Sequence, residues 1–128
     1  MYDVAAFRED RVEVMHALIK AHPLATLVTT TAQGLEANHI PMLIDPEPAP
    51  WGTLRGHVAR ANPVWRTFNA DTEVLAVFQG PHGYITPSWY PSKAQHGKVV
   101  RTWNYAVVHA YGPLRVFGAA EWLRKLGA

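Results

Sequence analysis

The chain has no cysteine among its 128 residues. Without a thiol it can form no disulfide, no thiolate nucleophile and no cysteine-ligated metal site. The formal net charge is only +2, and the scattered lysines and arginines form no basic run of the kind that marks a nucleic-acid-binding surface. No apolar run approaches the roughly 20 residues that a membrane-spanning helix needs. We therefore expect a cytoplasmic protein that does not enter a membrane.

Common catalytic motifs are missing as well. Ser88 and Ser92 are the only serines, and neither lies in the GxSxG turn that presents a nucleophile in many hydrolases. The seven histidines form no HExxH motif and no pair at a spacing matched to an acidic residue, so we assign no metal ligand. Neither GxGxxG nor a P-loop occurs, which leaves no basis for a Rossmann or nucleotide-hydrolysing domain. The sequence indicates no catalytic residue.

The chain does contain short apolar segments separated by turn residues. The spacing of Val12, Met15 and Ile19 predicts a helix that Asp10 caps and Pro23 ends. Further runs predict strands at 24–30, 35–44, 53–58, 73–78 and 99–111 and a last strand through 117, helices at 63–68 and 121–126, and a proline-rich loop at 79–97. Hairpin-joined strands with short helices at the edges indicate one mainly β domain over residues 1–128, an antiparallel β-barrel with a few helices.

The segment LRGHVARANP, residues 54–63, is a candidate anion site. Alternation places Arg55 and His57 on one face of a strand, and Arg60 and Asn62 follow where the chain leaves that strand for a predicted helix. An arginine beside a helix N-terminus offers a phosphate group charge-assisted hydrogen bonds and a positive dipole end. The alternative is that Asn62 only caps the helix and Arg60 is a solvated surface charge.

Two other strands carry polar side chains in apolar rows. In ANHIP, Asn38 and His39 point to opposite faces, and we expect one of them to be buried, where backbone, water or a ligand must satisfy it. In TWNY, Asn104 lies on one face and Trp103 and Tyr105 lie on the other. Aromatic and amide groups together can line a pocket for a flat ring system, whereas single aromatics are more often core residues.

The sequence also resembles one known family, through several long strings of unusual composition. The strings are LATLV (24–28), ANHIP (37–41), LRGHVARANP (54–63), FQGPHGYI (78–85), PSWYPSK (87–93), HGKVV (96–100) and TWNY (102–105). Together they resemble the PaiB family of FMN-binding negative transcriptional regulators, which have the flavin-binding split β-barrel fold. The similarity covers nearly all of the chain in order. It departs at Arg101, where the family usually has proline, and we expect the domain to be short at its C-terminus, since family members usually continue past Ala128.

The resemblance implies FMN as the cofactor and a homodimer with flavin sites between its two subunits. It implies that Arg60, His57 and Asn62 hold the FMN phosphate. It also implies that the flavin ring meets a second set of side chains, Asn38, His39, Trp103, Asn104 and Tyr105. Transcriptional repression, with DNA as a partner, follows from the resemblance alone, because no residue pattern indicates DNA contact.

Two other functions remain open. The protein could be a small FMN-dependent oxidoreductase, in which the flavin accepts a hydride and the chain supplies position and electrostatics. Alternatively, the early end of the chain could leave a truncated split-barrel dimer that no longer binds flavin.

Overall fold

A computed structural model describes residues 8–85 and 102–117 of the chain, with the backbone alone for residues 82–85 and 102–104. These residues form a five-stranded antiparallel sheet with strand order β3-β2-β1-β4-β5, accompanied by two helices. The elements, in chain order, are α1 Val12–Ala21, β1 Leu24–Thr31, β2 Gly34–Asp45, β3 Thr53–Gly56, α2 Val64–Thr67, β4 Val74–Ile85 and β5 Thr102–Gly112. The predicted mainly antiparallel β fold is confirmed, and the sheet is open at β3 and β5, consistent with a split barrel.

The β1–β2 hairpin is the centre of the sheet. Its strands pair from Leu24 opposite Pro41 to Thr31 opposite Gly34, which confirms the predicted turn at Ala32–Gly34. Gly34 has a φ of +112°, a conformation that residues with a Cβ rarely adopt, so glycine sets the turn and with it the register. The register decides which side chains of both strands reach the core.

One face of the sheet, the inner face, carries the core. Side chains alternate along β1, and those of Ala25, Leu27 and Thr29 are buried on this face. Helix α1 packs on it through Leu18 and Ile19, and the approach is close, because a Cβ at Gly80 would lie 3.0 Å from Leu18 Cδ1. The buried apolar cluster consists of Ile19, Ala25, Leu27, Ile40, Met42, Ala76 and Phe78. Neither helix in the part that the structure describes has the length and apolarity needed to cross a bilayer.

The opposite face, the outer face, is also largely apolar. Leu24, Leu43 and Tyr111 lie on it and are 60%, 67% and 60% exposed. The strand registers align its side chains from β2 to β5, where His39 is opposite Thr26, Thr26 is opposite Val77 and Val77 is opposite His109. Large apolar side chains grouped on an exposed face commonly mark an interaction surface.

The first helix begins differently from the prediction. Arg11, not Asp10, is the N-cap residue of α1, and no side chain caps the helix. The N–H and guanidinium of Arg11 both donate to the Glu9 carboxylate, at 3.0 and 2.7 Å. This contact holds Arg11 extended at the helix start, so Asp10 lies one residue too far out to cap. The predicted end of the helix near His22 is confirmed.

The predicted ends of β3 and β4 are wrong, and in both strands the pairing with the neighbouring strand explains the difference. Strand β3 ends at Gly56 because the position opposite His57 would be Pro41, which has no N–H for the ladder. Strand β4 continues past Phe78, since a register shift between Gln79 and His82 accommodates Pro81 without a broken sheet.

Residues 113–117 form no strand, because Gly112 pairs with the first residue of β4, Val74, and nothing in β4 lies opposite the residues beyond it. The remaining predicted elements, the helix at 121–126 and the loop at 86–97, lie outside the described residues.

Substitutions of two leucines in the hairpin test which face of the sheet carries the core. Leu27 is 4% exposed and Leu35 is 77% exposed. We expect Leu27→Ala to lower the free energy of unfolding by about 2–5 kcal/mol, because it leaves a cavity in the core. Leu35→Ala is the matched control, with an expected change within about 0.5 kcal/mol. Urea unfolding measures both, and equal losses would contradict the assignment.

Candidate functional site

The chain between β3 and α2 forms a tight turn that carries most of the predicted anion site. We call residues 57–62 the Arg60 segment. The N–H of Asn62 donates to the carbonyl of Ala59 at 2.9 Å, and the N–H of Val64 donates to Asn62 Oδ1 at 3.0 Å. Asn62 thus accepts from the first free N–H of the helix, but the predicted N-cap is wrong by one residue, because Pro63 is the N-cap and α2 begins at Val64.

The structure brings two of the predicted site residues together. Asn62 Nδ2 donates to Asn38 Oδ1 at 2.9 Å, which ties the Arg60 segment to the middle of β2. Asn38 Nδ2 in turn donates to Glu36 Oε1 at 3.4 Å. Both asparagines are half-buried. The two carboxamides therefore bond to each other, to the Glu36 side chain and to the Val64 N–H. These bonds hold the Arg60 segment in place.

Arg60 is the cation that this arrangement leaves available. Its side chain is exposed and makes no ion pair or hydrogen bond with another side chain in the described part of the chain. Its carbonyl accepts a hydrogen bond of 3.0 Å from Trp65 Nε1. His57, at the other end of the segment, is also exposed. An anion could therefore approach Arg60 without displacing an existing partner.

Arg55 differs from Arg60, because it already has a partner. Its Nη1 lies 2.9 Å from Asp45 Oδ2 across the β2–β3 ladder, and both side chains are partly exposed. The Glu47 N–H bonded to Asp45 and the Arg55 guanidinium hold the pKa of the Asp45 carboxyl below its usual value. Arg55 is thereby engaged in strand pairing and not in the anion site.

Asn38 and His39 lie on opposite faces of β2. Asn38 is half-buried on the inner face, while His39 is exposed on the outer face, with Nδ1 3.3 Å from Thr26 Oγ1. The expectation that one of them is buried is therefore wrong, because Asn38 is only half-buried and His39 is exposed. In a single chain the two side chains face different spaces, so they cannot line one cavity together.

The residues predicted to meet the flavin ring lie on β5. Trp103 and Asn104 are opposite Tyr84 and Gly83 of β4, and their side chains lie outside the described part of the chain. Tyr105 is exposed. Strands β5 and β3 are the two edges of the sheet, four strand spacings apart. At about 4.8 Å per spacing, these two edge strands are about 19 Å apart along the sheet.

Comparison with known proteins identifies the family. A family model with the description "Putative FMN-binding domain" matches residues 1–127. The chain is 38% identical over 126 residues to the Bacillus subtilis protein named "Protease synthase and sporulation protein PAI 2", covering 98% of this chain and 58% of that protein. Uncharacterized proteins of Emericella nidulans and Aspergillus fumigatus are 35% and 34% identical, and each match covers 91% of this chain and 57% of the relative.

The chain belongs to the PaiB-like family of FMN-binding domains. The relationship inferred from the sequence strings is confirmed, and FMN is the cofactor that membership in this family indicates. The chain spans somewhat more than half the length of these relatives.

The described residues of this PaiB-like domain suit the phosphate end of FMN. A phosphate monoester carries up to two negative charges and strong acceptor oxygens, and it is bound best by guanidinium and N–H donors. The Arg60 segment presents an exposed guanidinium on a turn that hydrogen bonds hold on both sides. No acidic side chain of the segment competes for it, since residues 57–62 contain neither Asp nor Glu.

Two residues that contact this site, Glu36 and Trp65, are not predicted by the sequence patterns. Glu36 accepts from Asn38 two positions along the same strand face, a spacing that β alternation could have suggested. Trp65 donates to Arg60 five residues earlier in the chain. No local pattern predicts that contact, because it depends on how the turn folds back on α2.

The pairing of Asp45 with Arg55 leads to a prediction on acid stability. Because the pKa of folded Asp45 is lowered, its contribution is complete above the ordinary value of about 3.9 and is lost as the pH falls through the lower folded value. We expect Asp45→Asn to show a shallower loss of stability below about pH 4 than the parent. Urea midpoints across this range measure it, with Asp71→Asn as the exposed control. Parallel curves for Asp45→Asn and the parent would contradict the assignment.

Proposed function

We propose that this domain binds FMN with the phosphate at the Arg60 segment. The observation that carries the proposal is that Arg60 is exposed and without a side-chain partner among the described residues, on a segment anchored by the Asn62–Asn38 hydrogen bond. Anchoring matters because a loop that must be ordered on binding loses affinity to conformational entropy. A segment held before the ligand arrives avoids much of that cost. His57, three residues before Arg60 in the same segment, would add a second hydrogen-bond donor to the phosphate.

We further propose that the flavin ring is bracketed by Trp103, Asn104 and Tyr105, and that the domain works as a homodimer. Within one chain these residues and the Arg60 segment are at opposite edges of the sheet. A second copy packed on the outer face would bring β5 of one subunit towards β3 of the other. In that arrangement each flavin lies between subunits and takes its phosphate and ring contacts from different chains.

The chemistry of the outer face supports a second copy as its occupant. Leu24, Leu43 and Tyr111 are exposed there, and burying a leucine side chain stabilises an assembly by about 1.5–3 kcal/mol. A two-fold axis would pair the same apolar patch with itself, as a closed dimer requires. His39 on this face would then lie next to the partner subunit.

For the protein as a whole we propose a PaiB-like negative transcriptional regulator in the cytoplasm, with DNA as its partner. Support comes from the similar B. subtilis protein, which is named for protease synthase and sporulation. The second candidate is a small FMN-dependent oxidoreductase, favoured by the cofactor itself, because bound FMN can accept a hydride.

Two assays on the purified, flavin-loaded protein separate these functions. Salt-sensitive retention of a particular promoter fragment, beyond that of a scrambled fragment of equal length, supports the regulator. Steady oxidation of NADPH or NADH that requires bound FMN, without such retention, supports the enzyme. A colourless preparation that binds no added FMN would reject both in favour of a dimer that has lost its flavin.

Replacing Arg60 tests the phosphate site. We expect Arg60→Ala to lower FMN affinity by about tenfold or more, because a charge-assisted hydrogen bond contributes about 1.5–3 kcal/mol. The affinity for riboflavin, which has no phosphate, should be unchanged. Arg115→Ala, which also removes an exposed arginine, is the control. Fluorescence titrations measure the FMN and riboflavin affinities of the parent and of both variants, and an unchanged FMN affinity in Arg60→Ala would refute the phosphate assignment.

Placing a charge on the outer face tests the dimer. We expect Leu24→Glu to give a folded monomer, because two carboxylates would be buried at the proposed interface without partners. Val14→Glu, an equivalent change at an exposed position of α1, should leave the dimer intact. Light scattering gives the mass and circular dichroism the fold. A dimer that persists in Leu24→Glu would place the interface elsewhere.

A further inference from the structure

Trp65 makes an unusual contact with the candidate phosphate site. Its indole Nε1 donates at 3.0 Å to the carbonyl of Arg60, the residue whose side chain is proposed to bind the phosphate. The Arg66 guanidinium lies over the indole ring, 5.6 Å from its centroid, and the preceding residue of α2, Val64, is buried at 2% exposure. A cation over an indole face is attracted by the ring and limits its motion.

The turn does not need this contact in order to be closed. The turn is already closed by the N–H of Asn62 on Ala59 and by the Asn62–Asn38 hydrogen bond. An exposed loop carbonyl can bond to water at little cost, so the indole is not needed to satisfy that oxygen. What the indole adds is a fixed orientation for the peptide that follows Arg60, in a segment that otherwise projects into solvent.

We propose that Trp65 is a positioning residue for the FMN phosphate, acting through Arg60. By holding the Arg60 carbonyl, it fixes the backbone from which the guanidinium extends, so the cation is presented to one place before the ligand binds. The inference rests on the proposed phosphate site and deepens it. It makes Trp65 a determinant of the preference for a phosphorylated flavin over riboflavin, although the indole itself need not touch either one.

Trp65→Phe isolates the role of the indole N–H, because it keeps an aromatic ring under Arg66. We expect FMN affinity to fall about three- to tenfold, the cost of ordering about one side chain on binding, while riboflavin affinity stays the same. In an Arg60→Ala background the same substitution should have no further effect on FMN, since Trp65 acts through Arg60. Trp51→Phe is the matched control, because its carbonyl, not its indole, makes the contact with His16 Nε2.

The outcomes distinguish this inference from the phosphate site on which it rests. If Trp65→Phe weakens FMN and riboflavin binding equally, or adds its full effect in the Arg60→Ala background, the role is only structural and the inference is overturned. If Arg60→Ala lowers the ratio of FMN to riboflavin affinity and Trp65→Phe does not, the phosphate site stands and the inference fails. If neither changes the ratio, both fail. Trp65→Leu, which also removes the N–H, replaces Trp65→Phe if that variant does not fold.

Discussion

The hydrogen bond between the carboxamides of Asn38 and Asn62 is the constraint on which the candidate site depends. Half-buried amides need partners, and here each supplies one for the other, joining the chain after β3 to the inner face of β2. Asn38 is on that face only because Leu27 lies opposite it in the hairpin register. A slip of one residue would turn Asn38 outwards and release the Arg60 segment, so the turn at Gly34 acts at a distance on the anion site.

Two arginines that are close in sequence, Arg55 and Arg60, take different roles according to their neighbours. Arg55 lies across from β2, where the Asp45 carboxylate neutralises it, and so contributes to strand pairing. Arg60 is only five residues later, but there the chain has left the sheet. Residues 57–62 contain neither Asp nor Glu. The Arg60 guanidinium lies outside the sheet because β3 ends at Gly56. Strand β3 ends there because Pro41, opposite the next position, has no N–H for the ladder.

Local sequence patterns correctly predicted those elements that depend on residues close together in the chain. The hairpin, the end of α1 at His22 and the short α2 follow from turn residues, β-branched runs and proline. What was missed depends on partners distant in sequence. The continuation of β4 past Pro81 requires β5 beside it, and a strand after Pro113 fails because nothing in β4 lies opposite. The Asn38–Asn62 bond likewise joins residues 24 positions apart, which no window of sequence reveals.

The proposed division of the flavin site between two subunits has a thermodynamic consequence. A ligand whose phosphate contacts one chain and whose ring contacts the other binds the dimer more tightly than the separated subunits, so it stabilises the dimer by mass action. Linkage is reciprocal, and the dimer must favour the ligand by the same factor. The outer face therefore need not be a strong interface by itself. A protein that pairs more tightly when FMN is bound couples any activity that needs two subunits to the level of the cofactor.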